Sequence, residues 1–246
     1  MPKVLLTVDC KAAHHQRCYT PEIVKIAEQH VVPLTWLIHT SGADPSANTQ
    51  LYYHEYFHKI PSWHEIGMNV YFENDRGYVE DPKERGSIIQ IAKDVLKSHR
   101  IKATSFRAGC FALLPSDLKY LEEVKIIADS SSVSGSDYRM FVDWGGAPTY
   151  PYRPSYEDLK QEGNSKIVIF PVTCAKGQYA YLDKGAEEAI GIIEAAGERE
   201  VYCIGMRDYM DCAAALDTVI QYFKGRGSRF LTLTNAASEF FNTPKK

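Results

Sequence analysis

Met1-Pro2-Lys3-Val4-Leu5-Leu6-Thr7-Val8-Asp9 opens the chain with one short apolar run that ends on a carboxylate. Val4 to Val8 has the composition of a strand covered on both faces. An ionised side chain directly after such a run is costly to bury unless it is paired or used. Asp9 therefore calls for a neighbouring cation, and its position makes it the first candidate for chemistry. The run is too short for a secretory signal and carries no cleavage site, so the expected compartment is cytoplasmic.

Working outward, similar runs recur at Leu34 to His39, Glu65 to Phe72, Thr104 to Ala108, Lys125 to Asp129, Ile167 to Val172, Val201 to Met206 and Phe230 to Thr234. Stretches with helical spacing separate most of them: Pro21 to His30, Pro82 to Arg100, Pro115 to Glu123, Gly185 to Ala196 and Asp211 to Lys224. Thr20-Pro21 and Leu114-Pro115 read as helix entries, with Thr20 as a capping hydroxyl. Alternation of strand and helix implies a parallel sheet with helical crossovers, and seven or eight strands favour a barrel. Residues 130–164, rich in Gly, Pro and Tyr, read as a long structured loop of the kind that usually carries function.

At 246 residues against about 150 for a typical domain, the chain fits one large domain, 1–246, with no repeat or credible linker. Hydrophobic residues at 45% and charged residues at 24% exclude disordered and membrane-spanning classes. A net charge of −3 with no basic tract argues against nucleic acid as a partner. Six scattered cysteines without a C-x-x-C pair suggest neither a disulfide framework nor a zinc ribbon.

In a parallel barrel the reactive groups come from the carboxyl ends of the strands. That rule gathers Asp9, Cys10 and Lys11, then His39, then Tyr71, Phe72 and Glu73, then Arg107, Asp129, Arg207 and Asp208. Arg107 is expected to pair with Asp9 or with Asp129.

Thr7-Val8-Asp9, His64-Glu65-Ile66-Gly67, Phe106-Arg107-Ala108-Gly109 and Ala128-Asp129-Ser130-Ser131 stand in the order and spacing of the polysaccharide deacetylases, the NodB-like carbohydrate esterases. Pro151-Tyr152-Arg153-Pro154-Ser155, Ile169-Phe170-Pro171-Val172-Thr173 and Arg229-Phe230-Leu231-Thr232-Leu233 resemble the later part of that family. The likeness is nearest to its branch in bacterial O-antigen and surface-glycan biosynthesis. The resemblance implies an α/β fold, a distorted (β/α) barrel of about seven parallel strands. It also implies removal of acetyl groups from amino sugars or polysaccharides, a hydrolysis of non-peptide carbon–nitrogen bonds that uses a divalent metal such as zinc, nickel or cobalt. Carried onto this chain, Asp9 matches the base, Arg107 the residue that orients it, and Asp129 the carboxylate of the fifth-strand motif.

The family's metal ligands do not carry over. Asp9-Cys10 stands where the family has Asp-Asp, and the histidines expected after Gly67 are replaced by Asn69 and either Tyr71 or Glu73. All eight histidines precede residue 100, so the late histidine is missing, and Gly205-Met206-Arg207-Asp208-Tyr209 stands in its region. Three readings follow. A metal site is rebuilt from Asp9 with Cys10, His14, His15 or Glu73. Alternatively, hydrolysis is lost and a sugar-binding groove remains, with Tyr71, Phe111 and Trp144 among its aromatic faces. In the third, Asp9, Lys11, Arg107, Asp129, Arg207 and Asp208 act without a metal, in a cationic cavity suited to an anionic sugar such as a uronic acid or a nucleotide-sugar. His54 and His58 share a helix face, which is better read as amphipathic surface than as a metal site.

Overall fold

The computed structural model describes residues 1–11, 17–40 and 52–243. In chain order its strands are β1 (Lys3–Cys10), β2 (Thr35–His39), β3 (Glu65–Val70), β4 (Glu73–Asn74), β5 (Gly77–Tyr78), β6 (Ser105–Ala108), β7 (Ala128–Asp129), β8 (Val168–Ile169), β9 (Cys174–Ala175), β10 (Gln178–Tyr179), β11 (Val201–Arg207) and β12 (Arg229–Leu231). The helices are α1 (Thr20–His30), α2 (Pro82–Ser98), α3 (Asp117–Glu123), α4 (Ala186–Ala195), α5 (Ala213–Lys224) and α6 (Leu233–Asn242).

The main sheet is parallel, in the order β11-β1-β2-β3-β6-β7-β8. β12 pairs with Lys3 to Leu5 of β1, and β2 pairs with Thr7 to Cys10, so two strands share one edge of β1. The gap between β8 and β11 is bridged by the segment that carries the β9–β10 hairpin. There Thr173 N donates to Cys203 O at 2.8 Å, and Gly205 N donates to Ala180 O at 3.0 Å. The result is a distorted (β/α) barrel: the alternating pattern predicts a barrel, and the family resemblance implies its distortion.

Side chains alternate along each strand, which divides the apolar residues into two layers. Leu5 joins Leu37, Phe106 and Ile169 in the interior, while Val4, Leu6, Val8 and Cys10 pack outward against Ile23 and Ala27 of α1 and Leu216 and Phe223 of α5. The same alternation turns Asp9 inward at the carboxyl end and Cys10 away from it. A second buried polar unit ties α2 to α3. Arg85 and Asp117 are both fully buried and paired, with Arg85 Nε to Asp117 Oδ1 at 2.7 Å and Nη2 to Oδ2 at 2.5 Å.

Three local expectations are corrected. Thr20 does not cap α1; it lies inside the helix, the cap is Tyr19, and the Thr20 hydroxyl meets Cys18 Sγ at 3.0 Å. The run Phe230 to Thr234 is strand only as far as Leu231. Thr232 then caps a helix over Leu233–Asn242 by accepting from Asn235 N. Residues 130–164 form a loop held by isolated bridges such as Tyr152 with Ile169, but much of it is core: Trp144 is 1% exposed and its indole N–H donates to Phe111 O at 2.9 Å. Among the described residues no helix is long and apolar enough to cross a membrane.

Candidate functional site

The carboxyl ends of β1, β3, β6 and β11 meet at one mouth, and the sheet register explains who faces whom. Asp9 is level with Arg207, and Asn69 is level with Arg107. Arg107, 1% exposed, crosses the interior to Asp9, its Nη1 donating to Oδ1 at 2.8 Å. Its Nε and Nη2 donate to the carbonyl and hydroxyl oxygens of Ser130 at 2.7 and 2.9 Å. Tyr181 donates to the other Asp9 oxygen at 2.7 Å and accepts from Arg107 Nη1 at 3.1 Å. Burial pushes the Tyr181 phenol well above its usual range, which keeps it a protonated donor.

Tyr181 was not among the candidates read from the sequence, yet two signals point to it. Tyr179-Ala180-Tyr181 has the period of a strand, which places both rings on one face. Gly205 interrupts the apolar strand Val201–Arg207, and an isolated glycine in a strand marks close approach of another group. The Tyr181 ring fills the space that a side chain at Gly205 would need.

The inner chamber of the mouth measures about 120 Å³ and is walled by Asp9, Lys11, Asn69, Tyr71, Arg107 and Phe111, with Cys110 and Arg207 beside them. An adjoining chamber of about 250 Å³ shares Tyr138, Tyr179, Tyr181 and Arg207 and extends to Asp183 and Lys184. The Lys11 ammonium lies 3.7 Å from the centre of the Tyr71 ring, a cation–π contact. Burial lowers the Lys11 pKa, against the opposing pull of Asp9. The Tyr71 ring in turn lies against Gly109, where a Cβ would come within 2.6 Å of it. The next two residues, Cys110 and Phe111, both take left-handed backbone at φ 52 and 56°. That turn places Phe111 edge-on to Tyr138, Tyr179 and Tyr181.

Other candidates lie elsewhere. Asp129 is fully buried and touches neither Asp9 nor the mouth; its oxygens accept from Ser131 N at 2.8 Å and Ser131 Oγ at 2.6 Å. Arg107 thus pairs with Asp9 and not with Asp129. Asp208, also fully buried, clips two strand ends together: it accepts from Lys11 N at 2.8 Å and from Tyr56 OH at 2.7 Å. Its carboxylate serves the scaffold and lines neither chamber of the mouth. Trp144 belongs to the core, and Glu73 belongs to the β4–β5 hairpin beyond β3. Arg207 lines both chambers and pairs with Asp183.

A divalent metal does not fit the described residues. No group of three or more His, Cys, Asp or Glu among them is placed to share an ion. Cys10 is 1% exposed on the outer face, where burial raises its thiol pKa well above the usual value, so it is no partner for Asp9. His14 and His15 lie outside the described residues. Next to Asp9 the mouth offers Lys11, Asn69 and Tyr71, an ammonium and two neutral groups where a metal needs anionic or imidazole donors. His54 and His58 are exposed on a π-helical turn over Tyr53–Phe57.

No protein-family model matches the chain, and no curated protein matches it in sequence. Solved structures do match in fold. A Mycobacterium smegmatis protein assigned as a polysaccharide deacetylase superposes with a TM-score of 0.63 at 14% identity, over 99% of this chain and 92% of that one. A family 4 acetyl xylan esterase from Clostridium thermocellum, in complex with a cobalt ion, gives 0.54 at 17% identity over 98% and 93%. A mutant of BA3943, a CE4 family pseudoenzyme with restored enzymatic activity, gives 0.57 at 14% identity over 96% and 68%. The fold is that of the CE4 polysaccharide deacetylases.

Two motif residues outside the mouth set opposing pH responses. His64, 7% exposed, accepts from Leu34 N at 2.9 Å through Nδ1 and stacks on Trp63, and burial lowers its pKa from 6.5 to about 4. Burial raises Asp129 from 3.8 to about 6, against the lowering hydrogen bonds from Ser131. As pH falls from about 6.5 to about 4 the unfolded chain protonates His64 before the folded one, so the His64 contribution to stability declines. Asp129 is protonated first in the folded state, so its contribution rises as pH falls from about 6 to 3.8. His64→Asn, which keeps an acceptor for Leu34 N, is therefore expected to gain stability relative to wild type on acidification. Asp129→Asn is expected to lose it. Urea midpoints taken every half unit from about pH 7 to about pH 4 check both, and curves parallel to wild type contradict both.

Proposed function

We propose that this chain is a carbohydrate-binding protein built on the deacetylase fold, and that its mouth takes up a sugar without metal-assisted hydrolysis. The observation that carries the reading is the Lys11 ammonium beside Asp9, where the resemblance would place a metal and its ligands. A positive charge there opposes entry of a divalent cation. The Asp9 carboxylate is held at both oxygens, by Arg107 and Tyr181. Tyrosine and phenylalanine rings around two small polar chambers suit the mixed apolar and polar faces of a sugar. The existence of a CE4 family pseudoenzyme with this fold supports the separation of fold from catalysis. On the strength of the sequence motifs, the proposed setting is bacterial surface-glycan synthesis, O-antigen included, in the cytoplasm.

The test is elemental analysis of the untagged protein after incubation with zinc, nickel, cobalt or manganese. The reading expects no stoichiometric metal whose retention depends on Asp9. One tightly held ion per chain that is lost in Asp9→Asn overturns it and restores the hydrolytic deacetylase reading.

A further inference from the structure

Charge and polarity inside the mouth specify its ligand more narrowly than the aromatic walls do. Two carboxylates and four cations line the chambers: Asp9 and Asp183 against Lys11, Arg107, Lys184 and Arg207. Asp9 is paired with Arg107 at 2.8 Å, and Asp183 with Arg207. Lys184 at the outer rim has its own partner, Glu188, at 2.8 Å. Among the described residues that line the chambers, the positive charge left over is Lys11. Among the described residues no carboxylate lies within ion-pair distance of its ammonium, and its contact is the face of Tyr71.

Asn69 adds an independent sign. It lines the inner chamber, is 2% exposed, and its carboxamide oxygen has no hydrogen-bond partner among the described residues. A buried acceptor left unpaired is costly, and one that faces an open chamber can take its missing donor from a ligand. The inner chamber, at about 120 Å³, has room for a substituent, and the adjoining chamber, at about 250 Å³ and lined by Tyr138 and Tyr179, has room for a ring.

We propose that the mouth selects a sugar bearing an anionic substituent, a carboxylate or a phosphate, with the anion on Lys11 and a neighbouring sugar hydroxyl donating to Asn69. The anion enters beside Asp9 because Arg107 and Tyr181 already compensate that carboxylate. The proposal rests on the carbohydrate reading above and narrows it to one class of sugar.

Three probes separate the two: methyl β-D-glucuronide, glucose 6-phosphate and methyl β-D-glucoside, titrated calorimetrically into the full chain at low ionic strength in a phosphate-free buffer. The expected result is at least ten-fold tighter binding of one or both anionic sugars than of the glucoside, and which of the two it is identifies the anion. Lys11→Met keeps the stem on Tyr71 and should bring the preference to within about two-fold. Asn69→Asp, nearly isosteric, should abolish anion binding by placing a carboxylate at the anion's side. Circular dichroism establishes that each variant is folded. Equal affinities for the three probes, or a preference that survives both substitutions, overturn this inference and leave the carbohydrate reading standing. No binding of any probe overturns both.

Discussion

Arg107→Met is expected to lower the free energy of unfolding by about 3–5 kcal/mol, the usual cost of removing one partner from a buried ion pair. Arg107 is 1% exposed and donates to Asp9, Tyr181, the Ser130 carbonyl and the Ser130 hydroxyl. Methionine fills much of the volume but leaves Asp9 buried with Tyr181 as its one remaining donor in the pair's network. Arg107→Lys should recover only part of the loss, because an ammonium cannot make the fork that reaches Asp9 and Ser130 together. Joint replacement, Asp9→Leu with Arg107→Met, should cost less than Arg107→Met alone, since it removes the stranded charge. Guanidinium unfolding of the set measures this directly. A loss under about 1 kcal/mol for Arg107→Met, the range of exposed pairs, contradicts the account.

Arg85→Met should cost a similar amount, about 3–5 kcal/mol, at a place outside both chambers. Its guanidinium binds Asp117 twice and also donates to Val79 O at 2.9 Å, Ala112 O at 2.6 Å and Tyr78 OH at 3.1 Å. The same group lies 3.4 Å from the centre of the Phe72 ring. This pair matters to the mouth because Ala112 follows the left-handed turn at Cys110 and Phe111. The effect has a pH signature. Burial already raises Asp117, and Arg85 opposes that rise. Without Arg85 the folded-state pKa climbs further, so the variant binds a proton more readily when folded. Its deficit against wild type should therefore shrink as pH falls toward 4. A deficit independent of pH would mean that Asp117 is not the group left unpaired.

Much of the barrel was legible because its strands are buried on both faces and read as apolar runs. Asp9 and Arg107 were legible for the same reason: charged residues at the ends of such runs must find one another. Cys10 was misplaced beside Asp9 because neighbours in sequence lie on opposite faces of a strand, a period of two that already turns Cys10 outward once Asp9 points in. Trp144, in a segment dense with glycine and proline, reads as an aromatic face of a sugar-binding groove. Its burial depends on a hydrogen bond to Phe111 O that no local pattern announces. Tyr181 was missed because it comes from the irregular segment that closes the sheet between β8 and β11, and its place is set by Gly205, 24 positions later in the chain. The helix over Leu233–Asn242 was hidden by the apolar run leading into it, which supplies both the end of β12 and the first helical residue.

The central claim is that this mouth recognises carbohydrate and does not hydrolyse it through a metal. Its most direct test is one sample given acetylated chito-oligosaccharide and glucuronate-containing oligosaccharide in the presence of cobalt, with binding followed by saturation-transfer NMR and acetate release followed in the same spectra. The account predicts saturation transfer to at least one of the two sugars and no acetate above the protein-free control. Acetate release that depends on cobalt and disappears in Asp9→Asn would contradict it.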